Sequence, residues 1–147
     1  MSIMRVTDSS ERKPAPRRPK RLGSGSDRST LLASIVDSSD DAIISMTLDG
    51  VITTWNKAAE GIYGYKAGEI VGQPVSILIP PNRANEMVEI LERIRNGERV
   101  DHYETTRCTK DGATIAVSLT VSPIHDPSGA IVGASSIARD VTKRERV

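Results

Sequence analysis

The sequence predicts an α+β domain built on an antiparallel sheet, and three observations carry that prediction. Two short apolar runs, residues 42–47 and 51–55, flank Asp49-Gly50, a turn signal that joins neighbouring antiparallel strands. A helical insert follows, in which Met87, Ile90, Leu91 and Ile94 recur at helix spacing. Beyond it Ile115, Val117, Leu119 and Val121 alternate with Thr114, Ala116, Ser118, Thr120 and Ser122, the period of a half-buried strand. Two strands, a helical insert and three further strands suit an antiparallel sheet covered by helices.

A chain of 147 residues suits one domain with a hydrophobic core of its own. It has no apolar run of about 18 residues, so no helical membrane span is expected. The N-terminus carries charges but no apolar segment of the secretory type, so a cytoplasmic protein is the expectation. Cys108 is the only cysteine, which excludes an internal disulfide and any multi-cysteine metal site. His102 and His125 are the only histidines, which removes most zinc centres and many acid–base arrangements.

The net charge of +1 conceals a split. Residues 1–28 hold eight basic and three acidic side chains, a net of +5, and residues 29–147 hold twelve and sixteen, a net of −4. The basic leader contains Pro14, Pro16, Pro19 and a Gly-Ser-Gly-Ser stretch, with few large apolar residues. Such a segment cannot bury enough surface to offset its ordering entropy, so residues 1–28 are expected to be disordered. It serves either as a solubilising leader or as an arm for nucleic acid or an acidic partner. No aromatic side chain is interleaved for base stacking, which weighs against nucleic acid.

The remaining elements follow in order. Ser29 or Thr30 can cap a short helix over 31–36, with Leu31, Leu32, Ile35 and Val36 as an apolar stripe. Residues 37–41 are turn formers. After the first hairpin, residues 57–72 are punctuated by Gly61, Gly64, Gly68 and Gly72 and predict short helical turns. The long helix follows Pro80-Pro81, with Glu89 and Arg93 spaced as an i,i+4 pair, and stops at Asn96-Gly97. From Val100 the pattern turns to β, and Lys110-Asp111-Gly112 supplies a second hairpin. Residues 123–129 predict a loop and 130–138 a last strand. Thr142-Lys143-Arg144-Glu145 matches a capping box, so residues 143–147 predict the start of a helix.

Several of these signals, in this order, resemble the PAS family, the small sensory modules of bacterial signalling proteins. They are Asp49-Gly50, Trp55-Asn56-Lys57-Ala58-Ala59-Glu60, Gly64-Tyr65, Glu69-Ile70-Val71-Gly72, Lys110-Asp111-Gly112, Pro123-Ile124 with Asp126 and Gly129, and Arg139-Asp140-Val141-Thr142. The resemblance covers residues 31–142, and the domain is placed at 29–142. It implies a five-stranded antiparallel sheet with helices packed on one face and a pocket between them. It further implies a module that binds a small ligand or dimerises, and relays a conformational change along a C-terminal helix to an effector such as a histidine kinase. Asp140 and Thr142 fall where that relay leaves the sheet. The alternative is a dimeric regulator of transcription that uses the basic arm for nucleic-acid contact.

Family chemistry can be compared with single residues. Light-sensing flavin members form an adduct through a cysteine, and Val75 stands at the matching place after Gly72. Methyl groups cannot form that adduct, although non-covalent flavin or a small metabolite remains open. Haem-binding members place an axial histidine on the long helix, and the matching place here falls near Glu86 or Met87, with no histidine between residues 80 and 97. The cofactor is therefore unassigned. Nothing in the sequence forms a nucleophile elbow or a phosphate-binding Gly loop, so a binding module is expected and an enzyme is not. The apolar candidates for lining the pocket are Trp55, Ile62, Ile70, Val75, Leu78, Met87, Leu91, Ile115, Val117 and Leu119. His102 joins them if strand alternation points it inward, either as a partner for a ligand carboxylate or as a pH-responsive group; otherwise it is a structural residue.

Overall fold

The computed structural model describes residues 30–142. The leader expected over 1–28 and most of the capping box at 142–145 lie outside them. By compactness the chain divides into units 1–35 and 36–147. Residues 30–38 are helical (α1), and Leu31, Leu32 and Ile35 are exposed.

The second unit contains β1 (Ala42–Thr47), β2 (Ile52–Trp55), α2 (Lys57–Tyr63), α3 (Ala67–Ile70), 3-10 turns at Val75–Leu78 and Pro81–Arg83, α4 (Glu86–Arg95), β3 (Val100–Cys108), β4 (Thr114–His125) and β5 (Ile131–Asp140). The strands form one antiparallel five-stranded sheet in the order β2-β1-β5-β4-β3. The last strand therefore lies in the middle, between the first and the fourth. One sheet face carries Ala42, Ile44, Met46, Val117, Leu119, Val121, Ala134 and Ala138, which form the core with Ala59, Tyr63, Ile70, Leu78, Met87, Ile90, Leu91 and Ile94 from the helical insert.

All three hairpins use one device, a three-residue loop: it is one residue longer than the Asp49-Gly50 turn expected first, coincides with Lys110-Asp111-Gly112, and is shorter than the loop expected over 123–129. Thr47, Thr109 and Asp126 each pair by backbone with the residue four ahead, at 2.8–2.9 Å. In each loop the third residue is a glycine whose amide returns to the first carbonyl (Gly50, Gly112 and Gly129). The side-chain oxygen of Thr47, Thr109 or Asp126 accepts amides within its own loop. Gly50 has φ 86, a left-handed conformation that a Cβ would oppose. Gly133 is needed for a different reason: a Cβ there would lie 2.6 Å from the Met46 carbonyl oxygen across the β1–β5 pair.

Four expectations are corrected. β4 runs through Pro123 to His125, where a loop was expected from residue 123. Its β3 neighbour ends at the Val100–Val121 pair, so the distal part of β4 has a neighbour on one side only and tolerates proline. β5 likewise extends two residues beyond 138, to Asp140. In β3 a register shift between Val100 and Tyr103 breaks the simple alternation, and His102 takes φ 50. The shift separates Val100 from the parity of Thr105 and Arg107, although all three are buried. On α4, Arg93 pairs with Glu98 at 3.0 Å rather than with Glu89.

Candidate functional site

The space between α4 and the sheet holds charge. Glu86 opens α4 on the same stripe as Ile90 and Ile94, so the helix that buries those two isoleucines also buries a carboxylate. Arg107 lies on the helix-side face of β3 with Tyr103 and Thr105. It is 2% exposed and Glu86 8%. Arg107 Nη1 stands 2.6 Å from Glu86 Oε1. Glu86 Oε2 accepts from Thr105 Oγ1 at 2.5 Å, from the Tyr103 hydroxyl at 3.3 Å and from Arg83 Nη1 at 3.5 Å. Arg107 Nη1 also donates to the Thr106 carbonyl at 2.8 Å.

Burial acts to raise the Glu86 carboxyl, but the Thr105 hydrogen bond and the Arg107 charge outweigh it and hold the group below the ordinary glutamate range. The neighbouring phenols move the other way. Burial pushes Tyr63 up to about 12, opposed by Arg107 and assisted by the Asp140 carboxylate. Burial and the Glu86 charge raise Tyr103.

The structure gathers some of the sequence candidates and scatters others. Val75, Met87 and Leu91 line a small apolar cleft of about 120 Å³ beside Gly50 and Ile79. Ile70, Leu78, Val117 and Leu119 are core residues. Trp55 is buried with its ring 5.4 Å from that of Tyr63, and its indole N–H donates to the Tyr65 carbonyl at 2.9 Å. Ile62 and Ile115 are half-buried at the margin of the core, and Ile62 borders a separate surface cavity of about 570 Å³ with Gly64 and Lys110. His102 is not with them. It lies on the outer face of the sheet, opposite in parity to Tyr103, Thr105 and Arg107, beside Asp41, Ser118, Thr120, Ile137 and Arg139, and the register shift separates it from the buried Val100.

The sequence reading missed Glu86, Arg107, Tyr103, Thr105 and Arg83 as a group. A signal for each half existed: a carboxylate on the apolar stripe of α4, and an arginine alternating with Thr105 in a strand. Among the described residues no three His, Cys, Asp or Glu side chains gather to hold a metal. None of the described helices is long and apolar enough to cross a membrane.

Comparison with known proteins agrees with this architecture. The family pattern described as PAS fold matches residues 30–141. The chain belongs to the PAS family. It is 34% identical over 116 residues to the signal transduction histidine-protein kinase AtoS of Escherichia coli, covering 79% of this chain and 19% of that protein. It is 26% identical over 132 residues to the sensor protein FixL of Bradyrhizobium diazoefficiens, covering 81% and 24%. The chain thus spans about a fifth to a quarter of these two relatives. The solved PAS domain of a Colwellia psychrerythraea protein superposes with TM-score 0.74 and 32% identity, over 80% of this chain and all of that one.

Within the PAS fold, the aromatic-Asn motif has a definite structural use. Asn56 caps α2 by accepting the Ala59 amide at 3.0 Å and also accepts the Ile43 amide at 2.9 Å. Its Nδ2 donates to the Val36 and Asp41 carbonyls at 2.8 and 3.0 Å. The Asp140 carboxylate accepts the Thr142 amide at 2.9 Å. The Thr142 hydroxyl, expected to cap the next helix, accepts the Ala116 amide of β4 at 2.9 Å. Val75, at the adduct cysteine's place, is buried in the first 3-10 turn.

Proposed function

We propose that this chain is a sensory signal-transduction module that registers a small molecule, or the association of two copies, and relays the change to an effector such as a histidine kinase. It carries out no reaction of its own. Similarity to AtoS and FixL supports the sensory role. The observation that carries the relay is how the chain leaves the sheet. Val141 donates its amide to the Ala116 carbonyl at 2.9 Å, and Thr142 returns to the Ala116 amide. Ala116 stands opposite Thr106, between the two β3 residues, Thr105 and Arg107, that hold Glu86. A displacement of α4 acting through Glu86 therefore reaches the exit across a single strand pair. A ligand drives it only by favouring one arrangement over the other.

The test uses the chain fused after Val147 to a histidine-kinase core, with basal autophosphorylation as the readout. Thr142→Val keeps the side-chain shape and removes the hydroxyl, and Asp140→Ala removes the acceptor for the Thr142 amide. A hydrogen bond contributing about 1 kcal/mol predicts a change of about fivefold for each. Unchanged phosphorylation in both variants removes the relay. Association of two copies is supported by the exposed Leu31, Leu32 and Ile35 of α1. A monomer by light scattering at high micromolar concentration counts against it.

A further inference from the structure

Where α2 meets the β3–β4 hairpin lies the cavity of about 570 Å³ bordered by Gly61, Ile62, Gly64, Lys110, Asp111 and Ala113. Its two glycines differ. Gly64 closes α2 with φ 87, and a Cβ there would lie 3.4 Å from Lys110 Cβ, so the fold itself requires it. Gly61 sits inside α2, in a helix that glycine weakens, and a Cβ there would meet no atom within 4 Å. Nothing among the described residues accounts for Gly61, and the room it leaves opens on the cavity. The two charges of the lining differ as well. Lys110 is held by Glu69 at 2.7 Å. Asp111 accepts the Thr109 hydroxyl and the Ala113 amide and has no basic partner among the described residues.

The exit of the chain is directed at this cavity. β5 runs antiparallel to β4 with Asp140 opposite Val117, so each further residue meets an earlier residue of β4. The Val141 amide continues that ladder to the Ala116 carbonyl at 2.9 Å, and the Thr142 hydroxyl accepts the Ala116 amide at 2.9 Å. Ala113 is three residues further along, about 10 Å at the rise of a strand. Residues 143–147 span about 17 Å when extended. They are Lys143-Arg144-Glu145-Arg146-Val147, with three basic side chains against one acidic.

We infer that residues 143–147 dock along the β3–β4 hairpin and over Gly61, with the apolar stems of their basic side chains against Ile62 and one cationic head on Asp111. Direction, reach and charge single out this segment, since a ladder continued past Thr142 sets residues 143 and 144 beside 114 and 113. The docked segment and the helix that Thr142-Lys143-Arg144-Glu145 would cap exclude each other, because one is extended along β4 and the other is coiled. The Thr142 hydroxyl, on the Ala116 amide, stands on the docked side of that choice. Docking therefore restrains the helix through which the module would signal, a purpose that rests on the sensory reading; the contact itself does not.

The contact is measured on the 147-residue chain, with Cys108→Ser and Val147→Cys so that a nitroxide label sits at position 147 alone. The expected result is loss of the NMR amide signals of residues 61–64 and 109–113, equally in dilute and concentrated samples. The amides of the β4–β5 loop, at the far end of the sheet, keep their intensity. Gly61→Leu fills the room beside α2 and removes the losses at 61–64. Asp111→Asn keeps both hydrogen bonds of that side chain and lowers the docked population about threefold, the scale of an exposed ion pair. No loss, or losses that both variants leave unchanged, overturn the inference. So do losses at Ser118, Thr120 and Ile137, which place the segment on the outer face, and losses that grow with concentration, which place it on a second copy. In the kinase fusion Gly61→Leu is expected to alter basal autophosphorylation. Docking alongside unchanged phosphorylation would instead retain the contact and remove its part in the relay.

Discussion

Asn56 and Arg107 are both buried polar side chains, yet one is fully used and the other is not. Asn56 makes four hydrogen bonds, two as donor and two as acceptor, all to backbone groups: Val36 in the last turns of α1, Asp41 just before β1, Ile43 in β1 and Ala59 in α2. That is the whole capacity of a primary amide. Arg107 keeps one buried nitrogen without an acceptor, and its carboxylate partner is crowded with donors on one oxygen and poorly aligned on the other. A satisfied network fixes one arrangement of the chain, whereas an incompletely satisfied one can exchange partners. The first holds the fold, and the second is where the proposed relay would act.

The strongest way to break this comparison is Asn56→Ala. It strands two amides and two carbonyls, at about 1 kcal/mol each, so a loss of about 4 kcal/mol is expected. Urea unfolding reads it as a lower midpoint at unchanged slope. A loss below about 1 kcal/mol would mean that backbone or water replaces the amide, and Asn56 would no longer stand apart from Arg107.

The ion pair comes next. Glu86→Gln leaves Arg107 buried beside a neutral amide and should cost about 3 kcal/mol near neutral pH. Replacing both residues with methionine should be neutral or stabilising, because the pair is retained at a desolvation cost that apolar packing avoids. Such an outcome sharpens the contrast, since no apolar replacement serves the backbone partners of Asn56. The pH dependence has a definite sign. Glu86 is depressed in the folded state, so its contribution is complete above the unfolded carboxyl value of about 4.3 and is lost as pH falls through the lower folded value. The gap between the native chain and Glu86→Gln should close over that acid window and be constant above it.

How much of this was legible in the sequence depends on the range of each cause. The three hairpin loops are local, and Asp49-Gly50 and Lys110-Asp111-Gly112 announce two of them, although the bonds from Thr47 that lengthen the first loop to three residues are less evident. The stripe of α4 is equally local. The register shift before Tyr103 is not, because neither glycine nor proline marks it, and it separates the outward His102 from the buried Val100 of the same parity. Val75, Met87 and Leu91 were chosen for composition, and only packing shows that these three share a cleft while Val117 and Leu119 are plain core. Glu86 and Arg107 are 21 positions apart. Each carries a readable anomaly, a charge on a buried face, but their meeting is a tertiary fact.

Tyr63 gives the smallest effect and tests whether the polar interior extends beyond the ion pair. Its hydroxyl titrates at about 12, and burial is the main cause, with the Arg107 charge opposing. A raised value means that the folded state resists an ionisation which the unfolded chain undergoes from about pH 10. Stability is therefore unaffected below pH 10, falls as pH rises towards 12, and is lower by about 1 kcal/mol at pH 11. Tyr63→Phe should flatten that decline. In the double-methionine variant the opposing positive charge is gone, so phenol ionisation should shift to still higher pH, which ultraviolet titration of the phenolate would follow. An unchanged titration there would mean that Arg107 acts on Glu86 alone, confining the exchangeable charge to α4 and β3.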